Sequence, residues 1–330
     1  MSKKKWWISG LLAVGVVAIL AAYSPLAKNS QPQAQPVPQQ EAIKIGYRAQ
    51  DLYAPLFVGL EKKIFEAEGL KIEPIKFEST NQLMEAMLGK RIDASLGGVN
   101  TILLLTLEEK SPNQFKLFSM TTENQDQASS YLLVRADSNI DSIKKLENKK
   151  IASFLGSTAK MLYRKTVDPY FDPKNSTLIQ MEPNLELQAL QSGQVDAAIV
   201  LEPLATIGAS KKISKTLEKA LFAKYFFNDL PLSGSIVSVD FINRQPELTK
   251  KLVLAANKAI DFIKNNEEET KTIITKYTPL TPEVASQISI IPSQKLNEIN
   301  MAKLQQLADL LLAEKELKNQ AQVVDLLLAN

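Results

Sequence analysis

The chain carries one small device twice. Ala86-Met-Leu-Gly-Lys-Arg-Ile-Asp93-Ala94 runs into Ser-Leu-Gly-Gly98, and Ala189-Leu-Gln-Ser-Gly-Gln-Val-Asp196-Ala197 runs into Ala-Ile-Val-Leu-Glu-Pro203. Each reads Ala, an apolar residue, a Gly-bearing turn, Ile or Val, then Asp-Ala. Ala189 follows Ala86 by 103 positions, too far for a stacked solenoid repeat and about one domain apart. The spacing predicts two similarly built halves, and 330 residues suffice for two cores. In each copy helical spacing precedes the turn and a strand-like run follows it, so the device is a helix-to-strand joint. Asp93 and Asp196 stand where a carboxylate accepts backbone N–H groups at the entry to a strand, a structural role.

The surrounding pattern extends this reading. Ile43 to Tyr47 alternates as a strand, and Pro55 opens a helix at the position where its missing N–H costs nothing. Leu56, Phe57, Leu60, Ile64 and Phe65 form that helix's stripe, with Gly69 as its stop. Lys71 to Phe77 is a second strand, placed at an edge or bulge by Pro74. Ser79 to Gln82 has capping-box spacing before the helix with Leu83, Met84, Met87 and Leu88. Ile92 to Leu96 is a third strand, ended by Gly97-Gly98, and Asn100 or Thr101 caps the next helix, to Leu107. The second copy repeats the order: strand 151–154, turn and cap at Gly156-Ser-Thr158, helix 160–167, strand 178–181, helix 184–191, strand 194–200, then a helix at Pro203.

Such βα alternation predicts an α/β fold of largely parallel sheets with helices on both faces. Tyr131 to Arg135 and Ser235 to Phe241 read as strands flanking the second copy, and the residues beyond are helical over 248–265, 267–276 and 301–312. The expected organisation is lobe 1 over 42–130 and 232–330, an inserted lobe 2 over 131–231, two hinge crossings and a cleft.

Ahead of Ala42 the chain is not globular in character. Lys3-Lys-Lys5 precedes Trp6 to Tyr23, 18 residues in which Ser9 alone is clearly polar. This reads as a signal peptide or an N-terminal membrane anchor, with the lysines on the cytoplasmic side. Residues 24–41, rich in Pro and Gln, read as an extended linker. The folded part is therefore expected outside the cytoplasmic membrane.

Composition removes whole classes of chemistry. With no Cys and no His, disulfides, thiolate or imidazole metal sites and Ser-His or Cys-His pairs are excluded. Lys3, Lys4, Lys5 and Lys28 are four of the 39 basic residues, and the other 35 face 36 acidic ones. A nearly neutral body gives no reason to expect nucleic acid as a partner. No cofactor is implied.

Ligands of open α/β sheets bind beyond the C-terminal ends of the strands. The loop after the first strand offers Tyr47, Arg48, Gln50, Asp51 and Tyr53: an Arg for a carboxylate or sulfonate, an Asp for a ring amine, two rings for stacking. The segment after Phe77 adds Ser79 and Thr80. Gly98, Asn100 and Thr101 from one half, and Gly156, Ser157 and Thr158 from the other, are small residues at helix starts, suited to an anion or carbonyl. Glu202, before a helix-opening Pro, is the candidate carboxylate of the second half. The alternatives are tight turns, a solvated loop and an ordinary capping glutamate.

Several of these segments, taken in order, resemble one family. Gly46-Tyr47, Ala54 through Leu70, Glu85 through Ala94, Asn139 through Leu146, Gly156-Ser157 and Val195 through Pro203 look like substrate-binding proteins of ABC importers for nitrate, sulfonates, taurine and thiamine-pyrimidine precursors. The resemblance spans about residues 42 to 330. It implies a type II periplasmic-binding-protein fold, two α/β lobes joined by two hinge strands, that closes on a small solute and docks on an ABC permease with its ATPase. Two other roles are open: an anchored ligand sensor, and an enzyme resembling the pyrimidine synthase of thiamine biosynthesis. That enzyme family uses a His and a Cys-rich motif, and this chain has neither.

Overall fold

The computed structural model describes residues 41–329 apart from residue 292. The basic-apolar segment and its Pro/Gln linker lie outside the described residues. No helix among the described residues is long and apolar enough to cross a membrane.

Strand β1 (Ile43–Tyr47) forms because Ile43 and Ile45 alternate with Lys44, burying one face. It leads to α1 (Ala54–Glu61), with Pro55 in the first turn. The single helix expected here is broken: Lys63 is left-handed (φ 54°), and a short α2 (Ile64–Ala67) follows. Then come β2 (Ile72–Lys76), α3 (Thr80–Leu88), β3 (Ala94–Asn100), α4 (Thr101–Lys110) and β4 (Phe115–Glu123). Next are β5 (Ser130–Arg135), β6 (Lys150–Ser153), α5 (Ser157–Val167), β7 (Thr177–Gln180), α6 (Pro183–Gln191), β8 (Ala197–Leu201), α7 (Leu204–Ser210), β9 (Ser214–Lys219) and α8 (Leu221–Tyr225). The chain ends with β10 (Leu230–Ser238), α9 (Val239–Arg244), α10 (Pro246–Asn265), α11 (Glu267–Ile274), α12 (Pro282–Ala285), β11 (Gln294–Lys295) and α13 (Met301–Ala313).

These strands make two sheets, ordered β11-β4-β10-β3-β1-β2 and β7-β6-β8-β5-β9. Neither is purely parallel. β1, β2 and β3 run together, but β10 runs against both β3 and β4. In the second sheet β5 runs against β8 and β9. β2, with Pro74, is an edge strand as expected. Both faces of the second sheet are covered: Ile151, Ala197 and Ile199 join the main core, while Ala152, Ala198 and Val200 face Leu187 and Leu190 of α6.

Three local expectations fail for identifiable reasons. β3 does not stop at Gly97-Gly98 but runs through both, at φ 90° and 68°, to Asn100. The strand from Ser235 ends at Ser238, whose hydroxyl accepts from the Phe241 N–H and starts α9, so Phe241 is helical. α5 begins at Ser157 itself; Gly156 precedes it at φ 112°, and no side chain caps the helix.

The repeated device is the same object in both sheets. The Asp93 N–H donates to the Lys44 carbonyl at 2.8 Å, and its Oδ2 accepts from the Lys44 N–H at 2.9 Å. Asp196 does the same with Lys150, at 2.8 and 2.9 Å. Each carboxylate thus latches its strand onto the parallel neighbour, a partner in another strand rather than in the turn. The turns match as well: the N–H groups of Arg91 and Gln194 both reach back to the first Ala of the device, at 2.8 and 3.0 Å. The left-handed residue is Lys90 in one copy and Gly193 in the other.

Asp93 also meets Arg244 at 3.2 Å and is 13% exposed, against 37% for Asp196. Asp93→Ala should therefore cost about 2 kcal/mol in urea denaturation and Asp196→Ala about half as much, since the drier site loses more when its donor is orphaned.

Candidate functional site

The topology gathers strand ends at one place. The chain leaves the first sheet at Glu123 and enters the second at Ser130; it returns from α8 into β10 at Leu230. Leu230 pairs with Glu123, Ser233 with Asn100, and Ser130 with Leu201. The C-terminal ends of β3, β4 and β8 therefore surround the two crossings; the expected site residues follow β1, β2, β3, β6 and β8.

Within that loop the residues have divided duties. Tyr47 lies edge-on to Phe57 at 5.5 Å, and Phe57 stacks on Tyr277 at 4.6 Å. Tyr53 is fully buried, its ring against Gly98, where a Cβ would approach it to 2.2 Å. Tyr53 therefore packs in the core and cannot stack on a solute, and Gly98 is glycine because the ring and a φ of 68° demand it. The Gly97 N–H is also spent, on Ser235 Oγ at 2.9 Å, so it is not available to an anion. Gln50 sits at the turn, its N–H on the Arg48 carbonyl at 2.8 Å.

Arg48 and Asp51 carry the loop's polarity. Arg48 Nη1 donates to Thr80 Oγ1 at 3.2 Å, and its buried Nε has no partner. Thr80 thus steers the guanidinium, while Ser79 caps α3 by accepting from the Gln82 N–H at 3.2 Å. Asp51 is 8% exposed, and its Oδ1 is inaccessible and unpartnered. A cavity of about 10 Å³ beside it, between Pro55, Ile263, Ile290 and Ser293, has room for one water.

At the end of β3, Asn100 caps α4 through the Leu103 N–H at 3.0 Å. Thr101 Oγ1 and, across the ladder, Ser233 Oγ are buried and unpartnered. Ser233 escapes sequence reading because nothing local shows that it pairs with Asn100. In the second half the 154–156 loop is pinned by Gln180 Nε2, donating to the carbonyls of Phe154 and Gly156 at 2.9 Å each. Ser157 is exposed, Thr158 half-buried, and the space around Gly156 is open. Glu202 is 9% exposed; it accepts from Thr206 N at 3.2 Å and Oγ1 at 3.1 Å, a capping role played out of solvent.

The electrostatics bring the halves together. Burial raises Asp51 from 3.8 to about 6. Burial likewise raises Glu202, and the Asp51 charge pushes it further up. Burial, then Glu202, Glu123 and Asp51, raise Tyr131. One phenol therefore lies within the field of three carboxylates drawn from both sheets. Tyr131 and Glu123 carried no sequence motif; their role comes from the crossing alone. A larger cavity of about 260 Å³ opens where α1 bends into α2, beside the start of β2 and away from all these groups. Lined by Phe65, Leu70 and Ile72 together with Lys63, Glu66 and Lys71, it lies at the start of β2 rather than at the strand ends that carry these groups.

Two mixed α/β sheets, with polar groups from their strand ends converging at two crossings, define the periplasmic substrate-binding fold. The ligand-binding component of an ABC-type import system from Staphylococcus aureus superposes with a TM-score of 0.72 at 18% identity, over 88% of this chain and 97% of that one. The periplasmic aliphatic sulphonate binding protein SsuA from Escherichia coli gives 0.70 at 17% identity, over 88% and 92%. Residues 37–276 match the NMT1-like family, and the chain belongs to that family. A putative aliphatic sulfonates-binding protein of Bacillus subtilis (strain 168) is 25% identical over 267 residues, 79% of this chain and 76% of that protein.

The Asp51 carboxyl holds its proton to about pH 6 when folded and to about 3.8 when unfolded. Above that window the unfolded state has released a proton that the folded state releases only against burial, so stability falls as pH rises through it. The full effect is about 3 kcal/mol. Asp51→Asn should show a stability gain over the native chain that is absent at pH 3.5, grows to pH 6 and is level at pH 7.5, in urea titrations.

Proposed function

We propose that this chain is the extracytoplasmic solute-binding component of an ABC importer, with residues 42–130 and 232–330 as one lobe and 131–231 as the other. The observation that carries the reading is a group of four among the buried, unpartnered polar atoms, placed after β1 and around the end of β3: Arg48 Nε, Asp51 Oδ1, Thr101 Oγ1 and, opposite Asn100, Ser233 Oγ. Orphaned polar groups are costly unless a ligand satisfies them. Their grouping beside a two-strand crossing is what a solute-binding cleft requires. The family membership and the binding proteins that share the fold support the same role.

The solute is a small nitrogen- or sulfur-containing molecule. Arg48 and the hydroxyls of Thr101 and Ser233 suit a sulfonate or another compact anion; Asp51 and Glu202 suit an amine. That mixture favours an aminosulfonate such as taurine, or an aminopyrimidine precursor of thiamine, over nitrate. Contact with both lobes stabilises the closed state, because only there are both sets of bonds made. Micromolar binding needs about 8 kcal/mol, within reach of a few desolvated polar contacts. The closed form then delivers its cargo to a membrane permease driven by an ATPase, with the N-terminal segment as leader or anchor.

A thermal-shift screen against taurine, alkanesulfonates, nitrate and hydroxymethylpyrimidines tests this. A bound solute at about 1,000 times its Kd should add about 4 kcal/mol of stability. In calorimetric titrations Arg48→Ala should weaken an anionic solute at least about tenfold. Unchanged affinity would remove Arg48 from the site.

A further inference from the structure

The carboxylate of Glu123 is placed unlike any other buried acid described above. Its backbone forms the last rung of the first sheet, opposite Leu230 where β10 begins. Its side chain is 0% exposed and points into the second half. Oε2 accepts from Ser129 N at 2.9 Å, Ser129 Oγ at 2.8 Å and Ser130 N at 2.8 Å. Oε1 accepts from Ser130 Oγ at 2.8 Å and from Ala223 N of α8 at 3.1 Å. Ser130 Oγ in turn accepts from the Phe222 N–H at 3.2 Å. One side chain therefore grips the first strand of the outward crossing and the helix that precedes the return crossing.

We propose that Glu123 is a positioning residue for solute capture: its carboxylate clasps the two interlobe crossings into one hinge and so sets the angle at which the lobes rest. No cation shares the site among the described contacts, so the five donors are what hold this carboxylate. Breaking any of them would leave a buried carboxylate short of partners, which the dry interior penalises heavily. Lobe rotation is therefore excluded from residues 129–130 and 222–223 and confined to the short stretches on either side of the clasp. These stretches, 124–128 and 226–229, are neither helix nor strand. Asn124 Oδ1 forms turns with the N–H groups of Asp126 and Gln127 at 3.0 and 2.8 Å, and Asp229 is left-handed at φ 60°. The Gln125 N–H bonds Asn228 Oδ1 at 3.2 Å, so the two stretches also touch one another. Neither the sequence pattern nor the solute site calls for this residue; the crossing geometry does.

The inference rests on the two-lobe reading but not on any particular solute. Because the chain has no cysteine, Glu85→Cys on α3 and Lys160→Cys on α5, both exposed, give one spin label on each half of the full-length protein. Pulsed dipolar distances are compared without solute for the native Glu123 background and for Glu123→Gln, which keeps the shape but sets an N–H₂ group against the donors. The clasp predicts that the distance distribution of Glu123→Gln is about twice as wide or shifted in its mean, while circular dichroism shows a folded chain. An unchanged distribution in a folded Glu123→Gln overturns the proposal. If that variant does not fold, Ser130→Ala, which removes one hydroxyl donor and leaves the carboxylate, decides by the same readout. Adding taurine is a separate arm. A native protein whose distances ignore taurine and every other solute in the panel counts against the solute-binding reading and leaves the clasp standing.

Discussion

The two sheets of this protein are joined where the ends of β4, β5 and β10 meet, and several acids at that joint are shut away from water. Everything near the crossings of this protein follows from how that constraint is met. Glu123 meets it by collecting donors from Ser129, Ser130 and Ala223. Glu202 meets it through Thr206, and its own N–H reaches the Ser129 carbonyl at 2.8 Å. Asp51 does not meet it, and burial holds its proton to about pH 6. Satisfied groups make the joint, while Arg48 Nε, Asp51 Oδ1, Thr101 Oγ1 and Ser233 Oγ are left without partners.

The site is thus a division of labour among residues of similar chemistry. Tyr47 and Tyr53 are the same residue type six positions apart, yet Tyr53 is fully buried against Gly98 while Tyr47 is half-buried and edge-on to Phe57. Ser79 and Asn100 are absorbed by helix caps, whereas Thr101 and Ser233 retain free hydroxyls. Arg48 is held halfway: Thr80 fixes one nitrogen and leaves another bare. In the proposed cleft this combination matters, since rigid neighbours keep the few free groups in place.

The two copies of the device keep the same bonds while differing in the residues around them. Both latches keep their backbone-and-carboxylate pair with the neighbouring strand, although the left-handed position is filled by Lys90 in one and Gly193 in the other. The position 103 residues beyond Leu83, a fully buried core residue of α3, is Glu186. Glu186 is equally buried, neither of its oxygens has a partner, and burial raises it to about 9. A protonated carboxyl has taken the place of a leucine, and the second half tolerates it because a neutral acid is far cheaper to bury than an ion.

By itself the sequence determined the alternation of strands and helices, the repeated helix-to-strand joint and the edge position of β2, because each is written in spacing of 2 or 3.6 residues or in local turn chemistry; that Asp93 and Asp196 accept backbone N–H groups was legible too, but not that the donors are Lys44 and Lys150 of neighbouring strands. It did not determine the mixed direction of the sheets, the run of β3 through Gly97 and Gly98, or which polar side chains remain unpaired. Those depend on partners such as Ser235, Ser233 and Tyr53, whose separation in the chain hides them from any local pattern. Tertiary structure alone decided that Glu123 would face Ser129, Ser130 and Ala223, for a buried carboxylate acquires its meaning from the donors that the fold brings to it.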